Sequence, residues 1–185
     1  HKSSEKAKSR GLLAPVFPLF KGKCMEIRFA KFSDLEQVVE LEQANFSSQE
    51  QISEAVLATY LERLQKTCLV MENNGELVGF ILSCPCTTPK VTDAIFYLSS
   101  DTIPVGNYLA IASLSVSKNY QGQGIGTLLI AALKEVALQE GYVGIALTCK
   151  EVLVGYYEIN HFTDFGPSES EFGGTSWFDM YWNAP

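Results

Sequence analysis

Histidine is almost missing from this chain: His1 and His161 are the two it has. The five cysteines, Cys24, Cys68, Cys84, Cys86 and Cys149, include no Cys-x-x-Cys pair. A zinc cluster therefore lacks ligands, and no metal is expected. Cys68, Cys84 and Cys149 sit in apolar, strand-like runs, where cysteine behaves as a small buried hydrophobe. We read reduced thiols and a cytoplasmic protein. Positive charge is also scarce, with a formal net charge of −7. Nothing neutralises phosphate on a large scale, which argues against a nucleic-acid partner. The local basic run, Lys2 to Lys23, lies outside the expected fold. No apolar run approaches the ~18 residues that span a membrane. Residues 12–20 are apolar, but Pro15 and Pro18 break them and they are too short for a secretory core. Repeats and low-complexity segments are missing too.

What remains is an ordinary globular composition, 46% apolar and 19% charged over 185 residues. That length suits one domain with a proper core. Residues 1–24 differ from the rest, being basic and then broken by proline. Met25 opens a run that reads as a first strand. The expected division is residues 25–185 as the domain and 1–24 as a leader ahead of the natural start. The counter-reading is a genuine extension that docks through Phe17, Leu19 and Phe20.

The most ordered stretch runs from Asn107 to Glu140. Tyr108 to Val116 is apolar and β-branched, which suits a strand. Gln121 to Gly126 is a glycine-rich turn. Thr127 to Glu140 is rich in Leu, Ala, Lys and Glu, which suits a helix. Ile125, Leu128, Leu129, Ala132, Leu133 and Val136 recur at helical spacing, and Gly141 stands where a C-cap belongs. A strand, a glycine-rich turn and a helix together make an anion site, because the first helical amides lack internal partners. The plainer reading is a tight turn that uses glycine for geometry alone. The dinucleotide fingerprint fails, since its sixth position from Gly122 is Thr127. The nucleoside-triphosphate loop fails as well, since Gly-Lys followed by Ser or Thr occurs nowhere in the chain.

Gln-x-x-Gly-x-Gly does fit, at Gln121, Gly124 and Gly126. It resembles the coenzyme A pyrophosphate loop of the GNAT superfamily of N-acetyltransferases. Downstream, Leu147 to Phe162 resembles that superfamily's fifth strand and its Tyr-x-x-x-Gly-Phe signature. Gly174 to Met180 is similar to the last strand of the arylalkylamine N-acetyltransferases and their bacterial relatives, and Val91 to Tyr97 also resembles that subgroup. The resemblance covers Met25 to the end. It implies a mixed α/β fold with about seven mostly antiparallel strands and helices on both faces. It implies acetyl-coenzyme A as co-substrate.

Around the motif, Ser33 with Glu36 reads as a capping box for a helix over 33–43, carrying Leu35, Val38, Val39, Leu41 and Glu42. A second helix is expected from Gln49 to Gln65. Strands over 67–72 and 77–84 flank Asn73-Asn-Gly-Glu76, a hairpin signal. The subgroup resembled implies that the long connection from Pro85 to Gly106 helps wall an acceptor pocket; the plainer reading is a surface excursion that simply packs. A fifth strand over 143–149, a short helix over 151–159 and closing strands over 162–165 and 172–182 complete the chain.

Acetyl transfer from a thioester to an amine needs the thioester held, its carbonyl polarised, the amine deprotonated and the thiolate protonated. The resemblance implies that Leu114, Ser115 and Val116 offer backbone groups to the pantetheine arm. It implies that Gln121, Gly122, Gln123, Gly124, Ile125, Gly126 and Thr127 hold the pyrophosphate. The serines at 113, 115 and 117 can equally be ordinary strand residues. Tyr157 matches the signature tyrosine, the general acid for the departing thiolate; the plainer reading is a packed aromatic. His161 stands where the signature has glycine. The two-histidine proton relay of the vertebrate-type arylalkylamine enzymes falls on Ala110 and Ala112, and alanine carries no proton. Water, Asp179 or Glu151 could serve as base, and His161 is a weaker candidate. The expected activity is direct transfer of acetyl to a primary amine of a small molecule, by a monomer or a homodimer, with neither nucleic acid nor membrane as partner. Cys149 as a covalent nucleophile is disfavoured, having no base beside it. A protein-directed acetyltransferase and a non-catalytic acyl-coenzyme A binding module are the rivals.

Overall fold

The computed structural model describes residues 25–185, so the leader or extension expected over 1–24 lies outside the described residues. A seven-stranded sheet runs in the order β1-β2-β3-β4-β5-β7-β6. The strands are β1 Met25–Phe29, β2 Cys68–Asn73, β3 Glu76–Cys86, β4 Tyr108–Val116, β5 Gly144–Cys149, β6 Thr163–Pro167 and β7 Phe178–Asn183. All neighbours are antiparallel except β4 and β5. The helices are α1 Leu35–Asn45, α2 Glu54–Arg63, α3 Ile125–Glu140 and α4 Val154–Ile159. The mixed α/β architecture expected from the sequence is the one observed.

Two apolar layers cover the two faces of the sheet. Under α3 and α4 lie Ile27, Met71, Ile81, Leu109, Ile145 and the helix residues Ile125, Leu129, Leu133 and Val136. Under α1 and α2 lie Val70, Phe80, Leu82 and Ala110 with Val38, Leu57, Tyr60 and Leu61. Each such side chain removed from water contributes about 1.5–3 kcal/mol, so the helix faces read from periodicity are held by burial. The hairpin forms as its sequence demands, with Asn74 (φ 51°) and Gly75 (φ 86°) both left-handed. Gly141 caps α3 at φ 77°.

Three local expectations are corrected. Asp34, not Ser33, receives the Lys31 amide at 2.8 Å, and Arg28 grips both its oxygens at 2.8 Å. Burial opposes ionisation there, yet the Arg28 guanidinium and the Lys31 amide hold the Asp34 carboxyl below its usual range. The second helix starts at Glu54, capped by the Ser53 hydroxyl 3.3 Å from the Val56 amide. Residues before it are drawn elsewhere: the Ile52 amide donates to Glu42 Oε2 at 2.9 Å and the Gln51 side chain to the Phe46 carbonyl at 2.9 Å. Phe172 opens a short helical turn, Phe172–Gly174, instead of a strand, with Gly173 at φ 68°.

The one parallel pair determines where the site lies. β4 meets β5 at Tyr108, Leu109 and Ala110 and nowhere beyond. On its other edge, β4 pairs Ser113 with Leu82 and Ile111 with Ser83, so Ala112 is an extra residue. A bulge of this kind bends the strand that carries it. β5 instead follows β7 along its whole length, from Gly144–Asn183 to Cys149–Phe178. The two strands therefore diverge past Ala110. Gly144 anchors the closed end: a Cβ there would lie 2.4 Å from the Trp182 carbonyl oxygen and 2.2 Å from the Tyr181 hydroxyl. Gly144→Ala should cost roughly 3 kcal/mol, read as a lowered urea midpoint with an unchanged slope.

Candidate active site

A cavity of about 260 Å³ occupies the gap between the diverging strands. Ile111 to Leu114 line it from β4, Leu147 to Cys149 from β5 and Lys150 from just beyond β5. Phe46, Phe96, Phe172 and Trp177 give it aromatic walls, and Tyr157 lines it from α4. Phe96 belongs to the long β3–β4 connection, which thus contributes to the cavity wall. It stacks on Phe172 with ring centroids 4.2 Å apart, and the Trp177 indole donates to the Phe172 carbonyl at 2.8 Å. Asp93, at the start of the Phe96 turn, receives Ser170 Oγ at 2.5 Å and the Glu171 amide at 3.1 Å. These contacts tie two loops distant in sequence into one wall.

Glu42 is the buried charge of this cavity, with 1% of its surface exposed. Leu35, Val38 and Glu42 follow helical spacing, so α1 points an acid where an apolar residue belongs. An acid inside an apolar stripe is the signal that could have marked it as functional; sequence reading passed over it. Its Oε1 receives the Ser113 hydroxyl at 2.7 Å and its Oε2 the Ile52 amide. Burial raises its pKa, and those two donors act against the rise. Ser113 and Ser115 are buried, not outward strand residues. The Asn45 side chain donates to Ser115 Oγ at 2.5 Å and to the Val116 carbonyl at 3.0 Å. Glu50 also lines the cavity, paired with Lys150 at 2.9 Å across its rim.

The other groups fall unevenly. Tyr157 is buried, its ring 5.1 Å from that of Tyr156 and 5.8 Å from that of Phe162. Burial raises its hydroxyl pKa, with the neighbouring Tyr156 and Cys149 adding to the shift. Burial pushes the Cys149 thiol up to about 12, with Asp164 adding to it, which leaves a poor nucleophile. Ala112 lines the cavity and Ala110 is buried under the α1–α2 layer. Asp179, Glu151 and His161, the sequence candidates for a base, do not line it. His161 stands at φ 68°, the left-handed region that explains why glycine suits this position.

The glycine-rich turn sits outside this cavity, at the exposed N-terminus of α3. Gly122 (φ 77°) and Gly124 (φ 83°) are left-handed, and Gly124 is the N-cap with no side chain bonded to the helix amides. The Gln121 side chain donates to the Val116 carbonyl at 3.1 Å and closes the turn onto β4. Uncapped amides at Ile125, Gly126 and Thr127 beside β-carbon-free residues fit a pyrophosphate. Past Ala110, β4 has no strand partner on its β5 side among the described residues, which suits an extended arm laid along Leu114, Ser115 and Val116. Tyr156 packs over the turn: its hydroxyl lies 3.3 Å from Thr127 Oγ1 and 2.7 Å from where a Gly126 Cβ would be.

The sequence model of the acetyltransferase (GNAT) family matches residues 35–162. No curated protein sequence matches the chain. Among solved structures, the loading GNATL domain of CurA from Lyngbya majuscula superposes with a TM-score of 0.72 at 14% identity, covering 86% of this chain and 98% of that one. The diaminobutyrate acetyltransferase EctA from Paenibacillus lautus, in complex with L-2,4-diaminobutyric acid and coenzyme A, gives 0.63 at 17% identity, covering 89% and 98%. The yncA putative acetyltransferase of Salmonella typhimurium, with acetyl-CoA, gives 0.63 at 19% identity, covering 87% and 94%. At these identities the superpositions show a shared fold.

The contact over the turn gives a sign test. Gly126→Ala should lower the melting temperature in the wild-type background, where the new methyl meets the Tyr156 hydroxyl. In a Tyr156→Phe background the nearest ring atom is 3.7 Å away, and the same change should be neutral or stabilising by up to ~1 kcal/mol through helix propensity. A double-mutant cycle of melting temperatures reads the difference.

Proposed function

We propose that this chain, which belongs to the acetyltransferase (GNAT) family and is an acyltransferase, moves an acetyl group from acetyl-coenzyme A directly to the primary amine of a small molecule. The observation that carries this is Glu42 and Tyr157 on the walls of one aromatic cavity, which the N-terminus of α3 adjoins through β4. Bound acetyl-coenzyme A supplies an activated thioester carbonyl. The 122–127 turn and α3 hold its pyrophosphate, and Leu114 to Val116 align the arm so that the carbonyl reaches the cavity. Glu42 accepts the proton of the incoming ammonium, which frees the nitrogen lone pair to form the C–N bond as the C–S bond breaks. Ser113 and the Ile52 amide orient the carboxylate for that transfer. Tyr157 gives its proton to the departing thiolate, and the proton left on the nitrogen by C–N bond formation passes to the Tyr157 oxygen, so the products are the neutral amide and the free thiol.

Two features support a small acceptor over a protein. Phe46, Phe172 and Trp177 wall the cavity, and the Glu50–Lys150 pair crosses its rim, which favours a compact acceptor over an extended peptide. The aromatic walls with an acid among them suit an amine carrying an apolar body. They support the arylalkylamine-like subgroup as the nearest chemistry, with Glu42 in place of the relay that Ala110 and Ala112 cannot provide. The raised pKa of the Cys149 thiol supports direct transfer over an acyl-enzyme.

Thiol release from acetyl-coenzyme A, measured against arylalkylamines, diamines and lysine peptides, tests the reading. Turnover with one small-amine class is expected; turnover confined to peptides, or none, would overturn it. Tyr157→Phe and Glu42→Gln should each lower kcat about 10²-fold or more. In the wild type kcat/KM should fall as pH drops through the raised Glu42 pKa, and Glu42→Gln should abolish that limb. The stability effect has the opposite sense. A carboxyl whose folded pKa is raised holds its proton more tightly when folded, so its contribution is full below the unfolded pKa and is lost as pH rises through the folded one. Gln can accept from the Ile52 amide and, with the Ser113 hydroxyl turned round, donate to Ser113 Oγ, without that loss, so Glu42→Gln should melt no lower than wild type at pH 7.

A further inference from the structure

A second pocket, of about 190 Å³, opens on the sheet beside the first, between the β3–β4 connection and the β6–β7 edge. Pro89, Lys90, Phe165, Asp179, Met180 and Tyr181 line it. Asp179 is 7% exposed, and among the described residues no donor reaches its buried Oδ1. An unpaired buried carboxylate is costly, and folds rarely retain one without a use. Lys90 is the nearby cation, yet no ion pair within 4 Å joins it to Asp179. The two aromatic walls, Phe165 and Tyr181, meet edge to face at 6.4 Å. The Tyr181 hydroxyl is occupied by Asn183 Oδ1 at 3.3 Å.

A carboxylate beside two aromatic rings is the chemistry that holds an ammonium group: the acid supplies the counter-charge and the rings supply cation–π contact. Its position adds to this. Asp179 pairs in register with Thr148, and Thr148 lines the first cavity. Residues paired across antiparallel strands share a face, and neighbouring strands lie ~4.8 Å apart. The pocket is therefore one strand away from the first cavity. We propose that the pocket walled by Phe165, Asp179 and Tyr181 binds an alkylammonium group. That group is either the second, unreacted amine of a diamine acceptor, which rests on the acetyltransferase reading above, or a separate ammonium ligand, which does not.

Tetramethylammonium cannot be acetylated and serves as the first probe, titrated into the full chain by calorimetry. Binding that weakens about tenfold or more in Asp179→Asn, but not in Glu42→Gln, supports the site. No binding to wild type, or equal binding to Asp179→Asn, overturns it, whether or not any amine turns over. Asp179→Asn is isosteric and removes an unpaired charge, so it should melt no lower than wild type and the comparison is between folded proteins. The second arm compares KM for 1,4-diaminobutane and butylamine. A diamine preference that Asp179→Asn reduces about tenfold assigns the site to the acceptor's second amine. Tetramethylammonium binding lost in Asp179→Asn with no diamine preference in wild type assigns it to a separate ligand. If the wild type acetylates no amine, the acetyltransferase reading fails, and the tetramethylammonium titration still decides the ammonium site.

Discussion

Between Leu82–Ser113 and Ser83–Ile111 the β3–β4 ladder skips Ala112, and within two residues of that skip β4 loses β5. β5 cannot follow the bend, because β7 holds it from Gly144 to Cys149. A closed sheet would pair these backbones; here the gap between them becomes a cavity. Pieces from the rest of the chain border it. α1 contributes Glu42, the segment before α2 contributes Phe46 and Ile52, and the β3–β4 connection contributes Phe96. The bulge also places its own side chain, a methyl group, on the cavity wall. A larger residue there would fill the space that the bulge creates.

Burial then sets the chemistry. The same desolvation raises the pKa of the Glu42 carboxyl, the Tyr157 hydroxyl and the Cys149 thiol, with opposite consequences. A carboxylate with a raised pKa is a better proton acceptor near neutrality. A phenol with a raised pKa is a weaker acid and stays protonated; a thiolate freed in the same dry gap would be a stronger base as well. A thiol with a raised pKa stays protonated and inert. One environment thus favours a carboxylate base, keeps the phenol protonated and disarms the thiol. The hydrogen bonds from Ser113 and Ile52 keep Glu42 folded into place, so α1, β4 and the segment before α2 share one buried charge.

Much of the frame was legible in the residues. The strand, turn and helix over 107–140 carry their own signals: β-branched alternation, glycines at left-handed positions and an apolar stripe ending at Gly141. The Asn74-Gly75 hairpin is similarly local. What escaped depends on distant partners. Gln49 to Ser53 has helix-compatible residues, but Glu42 captures the Ile52 amide, so α2 begins later. Phe172 has strand-like neighbours, yet stacking on Phe96 holds it in a turn. Glu42 stands out as an acid in an apolar stripe, but its partners Ser113 and Ile52 are visible only in the fold. The unpaired oxygen of Asp179 cannot be read from sequence at all, since it is defined by the donors that fail to arrive.

The most direct measurement is a crystal structure of this chain with coenzyme A bound. The arm should lie in the gap between Ile111–Val116 and Leu147–Cys149, with its sulfur facing Tyr157 and its pyrophosphate on the amides of 122–127. Coenzyme bound elsewhere, or β4 and β5 paired through this region, would contradict the account.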